Sequence, residues 1–395
     1  MKSNYDILGN HIRLIDTRNR ESITDRVLGI NIDKFFMPSV ANVIGTDLSK
    51  YKLITKGKFA CNPMHVGRDE RLPVALYDEE EPAIVSPAYF MFEVVDNSIL
   101  NEDYLMMWFR RPEFDRICWL HTDGSVRGGI TWDDICRLEL PIPPIEKQLE
   151  IVNSYKAITE RIALKQKIND NLVACIDTIF NEQFGNFKAL AESSTANTDF
   201  SSLPDGWTIE NAVHSFDISI GKTPPRSEPE WFTSNQTDNV WISIADMKTN
   251  SPFIFKSAEY LTNEAVKKHN VKIVPANSVL LSFKMTVGRV AIVTNEVTTN
   301  EAIAHFPCTK ENLFFVYCYL KNFNYGYLGS TSSITTAINS KIIKEMPFLM
   351  PSKKELDLFN HKVSGLFEQL KYISKELDIL EELSKMLLPQ LLGHC

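Results

Sequence analysis

The stretch LELPIPPIEKQLEIVNSY, residues 138–155, decides the fold because its pattern returns as EMPFLMPSKKELDLFNHK at residues 345–362. Pro144 matches Pro351 at an offset of 207 residues, and Leu149 matches Leu356 at the same offset. In both copies a helical pattern follows the Pro, which suits a helix start because Pro has no N–H to leave unsatisfied there. The repeat therefore predicts two copies of a globular domain followed by a long helix.

The repeat divides the chain of 395 residues into five predicted segments. These are a first head (1–140), a first helical spacer (141–185), a polar linker (186–202), a second head (203–350) and a second helical spacer (351–395). Short apolar runs bounded by Gly, Pro, Asp and Asn predict strands and loops in both heads. One amphipathic helix is predicted over residues 101–120, with Asn101 as its N-cap. The predicted fold class is α+β, with a pseudo-twofold repeat.

Apolar residues recur in the closing segment at spacings of three and four. The series is Leu356, Phe359, Val363, Leu366, Leu370, Ile373, Leu377, Leu380, Ser384 and Leu387, with one polar interruption. This spacing is typical of a coiled-coil seam. The first spacer shows the same spacing at Ile151, Tyr155, Ile158 and Ile162 and a less regular one afterwards. Each helix could pack flat on its own head, but two long helices with narrow apolar stripes favour an antiparallel pair within the chain.

Composition excludes several classes of protein. The net charge is −8 and 44% of the residues are hydrophobic, as in soluble globular proteins. The sequence has no run of 18 apolar residues, and its first 20 residues lack the apolar core of a signal peptide. The seven Cys follow neither disulfide nor zinc spacing. We expect a cytoplasmic protein with reduced thiols and no metal site.

Three fragments suggest catalysis only weakly. Gly221-Lys222-Thr223 resembles the end of a phosphate-binding P-loop, but Phe216 stands where that loop needs Gly. Residues 86–89, Ser-Pro-Ala-Tyr, resemble a loop of amino-methyltransferases, yet no Gly-rich turn for the adenosine cofactor precedes them. The histidines show no metalloprotease spacing and no nucleophile partner. No catalytic constellation is predicted.

Loops that mix cations, Gly and small hydroxyls occur in both heads, near the middle of each head and before each long helix. Lys and Arg neutralise phosphates, whereas Ser, Thr and Asn bond to phosphates or base edges. These loops could also be ordinary polar loops. The candidate DNA-binding residues are Lys56, Lys58, Asn62, His65, Arg68, Ser125 and Arg127 in the first head, and Lys222, Thr223, Arg226, Lys284, Thr286, Arg289, Ser332, Ser333 and Thr335 in the second.

The order of these motifs resembles that of specificity subunits of type I restriction–modification systems. The resemblance covers essentially the whole chain. It rests on LPIPPIEKQ at 140–148, LPDGW at 203–207, GKTP at 221–224, WISIAD at 241–246, GRVA at 288–291 and the Thr-Ser-rich stretch before Ile342. The chain departs from the family pattern in two places: MPSKKE at 350–355 replaces the usual Pro-Pro-x-x-x-Gln, and the first head lacks the Leu-Pro-x-Gly-Trp opening.

The resemblance implies a non-catalytic subunit with two target-recognition domains. Each domain would read one half of a split, asymmetric DNA site, and an antiparallel coiled coil would set the distance between them. Two methyltransferase subunits would bind to this chain, and restriction subunits would join through the complex. S-adenosylmethionine, ATP and Mg²⁺ would belong to those partners, and this chain would hold no cofactor.

Two other hypotheses remain open from the sequence. One is a scaffold that joins two protein-binding heads without touching DNA. The other is a stand-alone DNA amino-methyltransferase that uses residues 86–89. Salt-dependent binding to one bipartite duplex distinguishes the first from a specificity subunit, and cofactor binding by the isolated chain distinguishes the second.

Overall fold

The computed structural model describes residues 5–41, 43–64, 66–122, 128–193, 203–248, 251–328 and 338–393. The described residues form two compact units. One is drawn from Met1–Arg161 and Leu380–Cys395, and the other from Ile162–Ile379. The first unit contains the first head and the second unit contains the second head. Each unit also includes parts of both long helices.

In its described residues, the first head contains ten short strands and four short α-helices. The strands are β1 (Tyr5–Ile7), β2 (Ile12–Ile15), β3 (Val27–Ile30), β4 (Phe36–Pro38), β5 (Lys52–Ile54), β6 (Phe59–Cys61), β7 (Val74–Leu76), β8 (Ala83–Val85), β9 (Phe90–Val94) and β10 (Glu139–Pro141). The helices are α1 (Val66–Asp69), α2 (Glu102–Phe109), α3 (Pro112–Leu120) and α4 (Trp132–Cys136).

Two four-stranded sheets and one strand pair organise the first head. One sheet has the order β2-β9-β6-β7 and is antiparallel throughout. The other has the order β4-β3-β8-β5, in which only β3 and β8 run parallel. The first strand of the head, β1, pairs with its last strand, β10. Apolar side chains of the first sheet pack on α2, where Phe59 and Phe109 lie with ring centroids 5.8 Å apart.

The amphipathic segment at 101–120 forms two helices instead of the predicted one. Asn101 caps α2 as predicted, because its Oδ1 accepts a hydrogen bond from the backbone N–H of Tyr104 at 3.0 Å. The helix ends at Phe109, and Pro112 opens α3. Pro favours the first turn of a helix and disfavours the interior, so Pro112 starts a new helix.

The first spacer, the second head and the second spacer supply the remaining elements. After the long helix α5 (Ile145–Glu192) come β11 (Thr208–Asn211), α6 (Ala212–Ser215), β12 (Ser219–Ile220), β13 (Phe232–Thr233), β14 (Asn239–Ile242), β15 (Phe253–Ile254), β16 (Glu259–Leu261), α7 (Asn263–Lys268), β17 (Ser278–Ser282), β18 (Val290–Val293), β19 (Thr298–Thr299), β20 (Ile303–Pro307), α8 (Leu313–Asn322), α9 (Ser340–Glu345), β21 (Pro347–Met350) and α10 (Lys353–Gly393).

The second head repeats the topology of the first. Its main sheet has the order β12-β20-β17-β18 with β15 added at the edge, which matches β2-β9-β6-β7 strand for strand. The parallel pair of β14 and β19 matches β3 and β8, and the pair of β11 and β21 matches β1 and β10. The predicted α+β fold, with two sheet-rich halves and long helices, is confirmed.

The first long helix begins as predicted and ends later. The carbonyl of Pro144 accepts the first helical bonds from Lys147 and Gln148, so the helix begins directly after this Pro. The prediction of a linker at 186–202 is wrong about where the linker starts, because α5 continues to Glu192. The ring of Phe187 packs on Trp207 with centroids 4.7 Å apart, and Ala191 is fully buried. These contacts stabilise extra helical turns in a stretch whose composition is polar.

The two long helices pack antiparallel within the second unit, as predicted. Lys165 of α5 pairs with Glu376 of α10 at 2.7 Å, whereas Gln183 reaches Glu355 at 3.1 Å. Residues later in α5 therefore contact residues earlier in α10, so the two helices run in opposite directions.

The predicted seam of α10 holds at Phe359, Val363 and Leu370, which are fully buried, but Phe367 is buried in place of the half-buried Leu366. The reason is that Phe367 packs on the second head, where it stacks on Phe314 with centroids 4.2 Å apart. The helix therefore packs on its own head and on α5 at once.

Candidate functional site

Three segments of the second head meet at one edge of its main sheet. The backbone N–H of Lys222 donates to Thr299 at 2.9 Å, and that of Phe283 donates to Ala302 at 2.9 Å. Residues 221–226 follow β12, residues 283–289 join β17 to β18, and residues 299–302 lead into β20. We call these three segments the loop edge of the second head.

Close packing explains why residue 221, the first of the GKT stretch, is a glycine. A Cβ on this residue would lie 2.0 Å from Oγ1 of Thr299 and 2.1 Å from the carbonyl oxygen of Asn300. Only Gly lets two backbones approach this closely. No helix of the described residues follows this stretch directly, so a packed loop replaces the P-loop that the three letters resemble.

A buried histidine ties the loop edge to the sheet beneath it. Nδ1 of His305 lies 2.9 Å from the hydroxyl of Ser219, and Nε2 lies 2.7 Å from that of Thr299. His305 is fully buried, and burial lowers its pKa to about 4. The imidazole is therefore neutral at pH 7, and it orients the Thr299 side chain on which Gly221 packs.

Two predicted residues of this edge bond to carboxylates of the same head. Thr223 donates its hydroxyl hydrogen to Glu301. Arg226 forms two bonds to Glu259, at 2.6 and 2.8 Å, and its guanidinium lies over the ring of Phe232 at 3.9 Å. The Glu259 carboxylate raises the pKa of Arg226, and the guanidinium lowers the pKa of Glu259.

The other predicted residues of this edge differ in exposure. Lys222, Lys284 and Thr286 are exposed to solvent. Arg289 is half-buried, and its guanidinium donates to the carbonyl of Ile244 at 2.7 Å. The structure thus brings all six predicted residues at 222–289 to one edge, where Lys222 and Lys284 are exposed on neighbouring loops.

The first head has an equivalent loop edge, formed by residues 16–26, 62–64, 66–73 and 86–89. These segments follow β2, join β6 to β7 and precede β9, as their counterparts do in the second head. Asn62 lies here, and its Oδ1 accepts from the backbone of Met64 at 3.1 Å. The backbone of Gly67 donates to Gly128 at 3.0 Å, which brings residue 128 to the same edge. Arg68 belongs to α1, but its side chain is not among the described ones.

Lys56 and Lys58 do not join this edge. They precede β6, whereas Asn62 follows it, so they lie at the opposite end of the sheet. Lys56 pairs with Glu80, and Lys58 with Glu93. Residues 16–26 are the counterpart of residues 221–226, because each segment follows the strand at the same place in its sheet, β2 or β12.

Sequence reasoning missed the cations of residues 16–26. Arg20 is exposed, Arg18 donates to the carbonyl of Lys50 at 2.7 Å, and Arg26 forms two bonds to Glu79. The signal was present in the position of this loop, directly after the first strand of the main sheet in each head. Six candidates, His65, Ser125, Arg127, Ser332, Ser333 and Thr335, lie outside the described residues.

The Ser86–Tyr89 stretch that resembles a methyltransferase loop forms a turn. The backbone N–H of Tyr89 donates to Ser86 at 3.1 Å, and the hydroxyl of Ser86 accepts from Ala88 at 3.2 Å. Lys52 donates to the carbonyl of Tyr89 at 2.6 Å. These hydrogen bonds hold the stretch in a turn, so its polar groups have a structural role.

Within the described ranges, no three His, Cys, Asp or Glu side chains come together as a metal site would require. None of the helices in the described part of the chain has the length and apolarity needed to cross a bilayer.

Comparison with known proteins agrees with this arrangement. Residues 215–385 match the model of the type I restriction modification DNA specificity domain. The HindI specificity subunit of Haemophilus influenzae is 23% identical over 91% of this chain and 91% of its own length. The MjaIX specificity subunit of Methanocaldococcus jannaschii is 23% identical over 49% of this chain and 45% of its own. The second head and most of the last helix thus match this domain model, and the chain as a whole is similar to type I specificity subunits.

A solved structure of a specificity subunit has a similar fold. The S subunit of a type I restriction-modification system from M. genitalium superposes with a TM-score of 0.57 at 15% identity, covering 98% of this chain and 95% of that one.

Proposed function

We propose that this chain is a type I specificity subunit that recognises an asymmetric, bipartite DNA site and reads one half-site with each head. The observation that carries the proposal is the duplicated sheet order, which presents three loops at the same sheet edge in both heads. The corresponding loops differ in sequence, as residues 16–26 and 221–226 do. Two similar frames with different loops are suited to reading two different short sequences.

The proposed contacts follow from the chemistry of each loop edge. Exposed Lys222 and Lys284 would neutralise phosphates, and Arg20 would do so in the first head. Hydroxyl and amide side chains such as Thr286 and Asn62 would bond to phosphates or base edges. The candidate residues outside the described ranges keep their predicted role. Lys56 and Lys58, at the far end of the sheet, would at most contact the flanking backbone.

The proposed partners are two methyltransferase subunits and, through them, restriction subunits. The specificity subunits that resemble this chain are named as parts of type I restriction enzymes. Methyl transfer and ATP-driven cleavage would then use S-adenosylmethionine, ATP and Mg²⁺ held by those partners. The complex would act in the cytoplasm, where its DNA is.

Salt dependence of binding tests the proposal. The full chain, assembled with its methyltransferase partners, is titrated with the duplex selected from a randomised pool at several salt concentrations. Lys222→Ala and Lys284→Ala should each reduce the slope of log affinity against log salt by about 1. Lys310→Ala is the control, because Lys310 is exposed beyond the end of β20, at the opposite end of the sheet.

Two results would contradict the proposal. Affinity that does not depend on salt would favour a protein-binding scaffold. A selected site that is a perfect palindrome would argue against two heads of different specificity. The expected outcome is one site with two unlike half-sites at a fixed separation.

A further inference from the structure

Glu301 occupies the centre of the loop edge of the second head. Its turn, residues 299–302, accepts a backbone hydrogen bond from Lys222 on one side and from Phe283 on the other, each at 2.9 Å. Glu301 therefore lies between the loops that carry the exposed Lys222 and Lys284. Its side chain is itself exposed.

The turn that carries Glu301 is held on both sides of this residue. The backbone N–H of Asn300 donates to Ile242 at 3.0 Å, and Oδ1 of Asn300 accepts from Ala302 at 3.2 Å. The hydroxyl of Thr223 donates to Oε2 of Glu301 and so holds one carboxylate oxygen. The other oxygen, Oε1, takes no part in this bond. A functional group on a fixed backbone with a fixed rotamer is preorganised for a directional contact.

A carboxylate at this place conflicts with a purely electrostatic role for the surface. Like charges repel, so Glu301 would weaken every contact with phosphates nearby. Glu301 serves the head itself by accepting from Thr223 and by acting electrostatically on Arg226. Towards a DNA duplex, a carboxylate makes a favourable contact when it accepts a hydrogen bond from the exocyclic amino group of cytosine in the major groove. We propose that Glu301 is a specificity-determining residue that accepts a hydrogen bond from the N4 amino group of a cytosine in the half-site read by the second head.

The first head has no such group at the equivalent turn. Residues 86–89 place Pro87 and Ala88 where the second head has Asn300 and Glu301. The proposed contact therefore belongs to one half-site, and it contributes to the asymmetry of the whole site. This inference rests on the proposed function.

The test uses the full chain assembled with its methyltransferase partners. Sites are selected from a randomised duplex pool with the wild type, Glu301→Gln, Glu301→Ala and the control Glu296→Gln. Glu296 is exposed at the opposite end of the same sheet, so its replacement makes the same charge change away from the loop edge. At one position of the second half-site, Glu301→Ala should lower the preference for cytosine by roughly 5- to 150-fold. The first half-site should not change.

A base analogue identifies the bond itself. The cytosine at that position is replaced by 2-pyrimidinone, which lacks the N4 amino group. The wild type should lose affinity on this replacement, and Glu301→Ala should lose no more than about 2-fold, because the acceptor is already absent.

Three outcomes would overturn the proposal. If Glu301→Ala raises the affinity for all sequences equally, the carboxylate only repels phosphates. If it changes nothing, Glu301 is outside the interface. If the wild-type complex shows no salt-dependent binding, the proposed function fails first and this inference fails with it.

Discussion

The backbone of Gly221 packs against the side chain of Thr299, with no space between them for a Cβ atom. The contact fixes the start of the loop that carries Lys222 and Thr223. Because the opposing atoms include the carbonyl of Asn300, relief of a clash would require the backbone to move.

Gly221→Ala should therefore destabilise the second head by about 2 kcal/mol, as overpacking of a close contact does. It should also weaken recognition of one half-site, since the loop edge would shift. Urea titration and duplex binding measure the two effects. Gly365→Ala is the matched control, because a Cβ there would meet nothing within 4 Å and the residue lies inside α10. This control should stabilise the protein by about 0.5–1 kcal/mol.

Gln148, in the stretch that opens α5, connects the helix to the first head. Its Nε2 donates to the carbonyls of Ile99 and Pro143 at 2.7 and 2.8 Å, and its Oε1 accepts from the backbone N–H of Asn101 at 2.9 Å. The residue is fully buried. Gln148→Ala leaves three backbone groups without these bonds and should lower the free energy of unfolding by about 3 kcal/mol.

Lys147→Ala is the control for Gln148, in the same helical turn. Lys147 is exposed, and it forms an ion pair with the exposed Glu150 on the surface of the same helix. Its loss should change the free energy of unfolding by less than about 0.5 kcal/mol. Equal effects of the two replacements would show that Gln148 does not anchor the helix.

His305 should make the second head less stable in mild acid. Its pKa is about 4 in the folded protein because burial disfavours the charged form, whereas in the unfolded chain it is about 6.5. The unfolded state therefore binds a proton first, and stability is lost as the pH falls from about 6.5 towards 4. Between pH 7.5 and pH 5.0 the loss from this group should be about 2 kcal/mol.

Urea titrations of the wild type and His305→Gln at both pH values measure this loss. Gln cannot be protonated, so the variant should lose about 2 kcal/mol less than the wild type over the same interval. Groups other than His305 titrate in both proteins and cancel in the comparison. Parallel stability curves for the two proteins would show that His305 remains able to take up a proton when folded.

The long helices should determine the spacer between the half-sites if they hold the heads apart. Lys165 and Glu376 face each other, so seven residues inserted after each would keep the apolar spacing in register. The insertion adds about 10 Å of helix, which corresponds to roughly three base pairs. Site selection should return a longer spacer with both half-sites unchanged. A changed half-site with the original spacer would contradict this prediction.

The sequence predicted those elements whose signals are local. Pro144 and Pro351 mark both helix starts, and Asn101 marks the start of α2, because caps and first turns depend on residues within one turn of the chain. The end of α5 was not predictable in this way. It depends on the packing of Phe187 on Trp207, which are 20 residues apart and have a polar stretch between them.

The loop edges show the same limit for the candidate site. Residues 221–226 and 283–289 were each recognisable by composition, but their meeting at one edge depends on strands that pair across more than 80 residues, such as Ile220 with Ala304. Lys56 and Lys58 are cations, as phosphate contacts require, but they precede β6 and lie at the end of the sheet opposite the loop edge. Residue type alone therefore predicted the kind of surface, and strand pairing determined its members.

The strand pairs that close each head have a consequence for how new specificities arise. Tyr5 of β1 lies beside Pro141 of β10, and Thr208 of β11 lies beside Met350 of β21, so the chain enters and leaves each head at neighbouring strands. The second head lies in sequence between α5 and α10, and its first and last strands are paired, so both of its joints to the helices are in one place. Recombination at these joints would exchange the second head as a unit and leave the helices unchanged, and under the proposed function one such event would change one half-site.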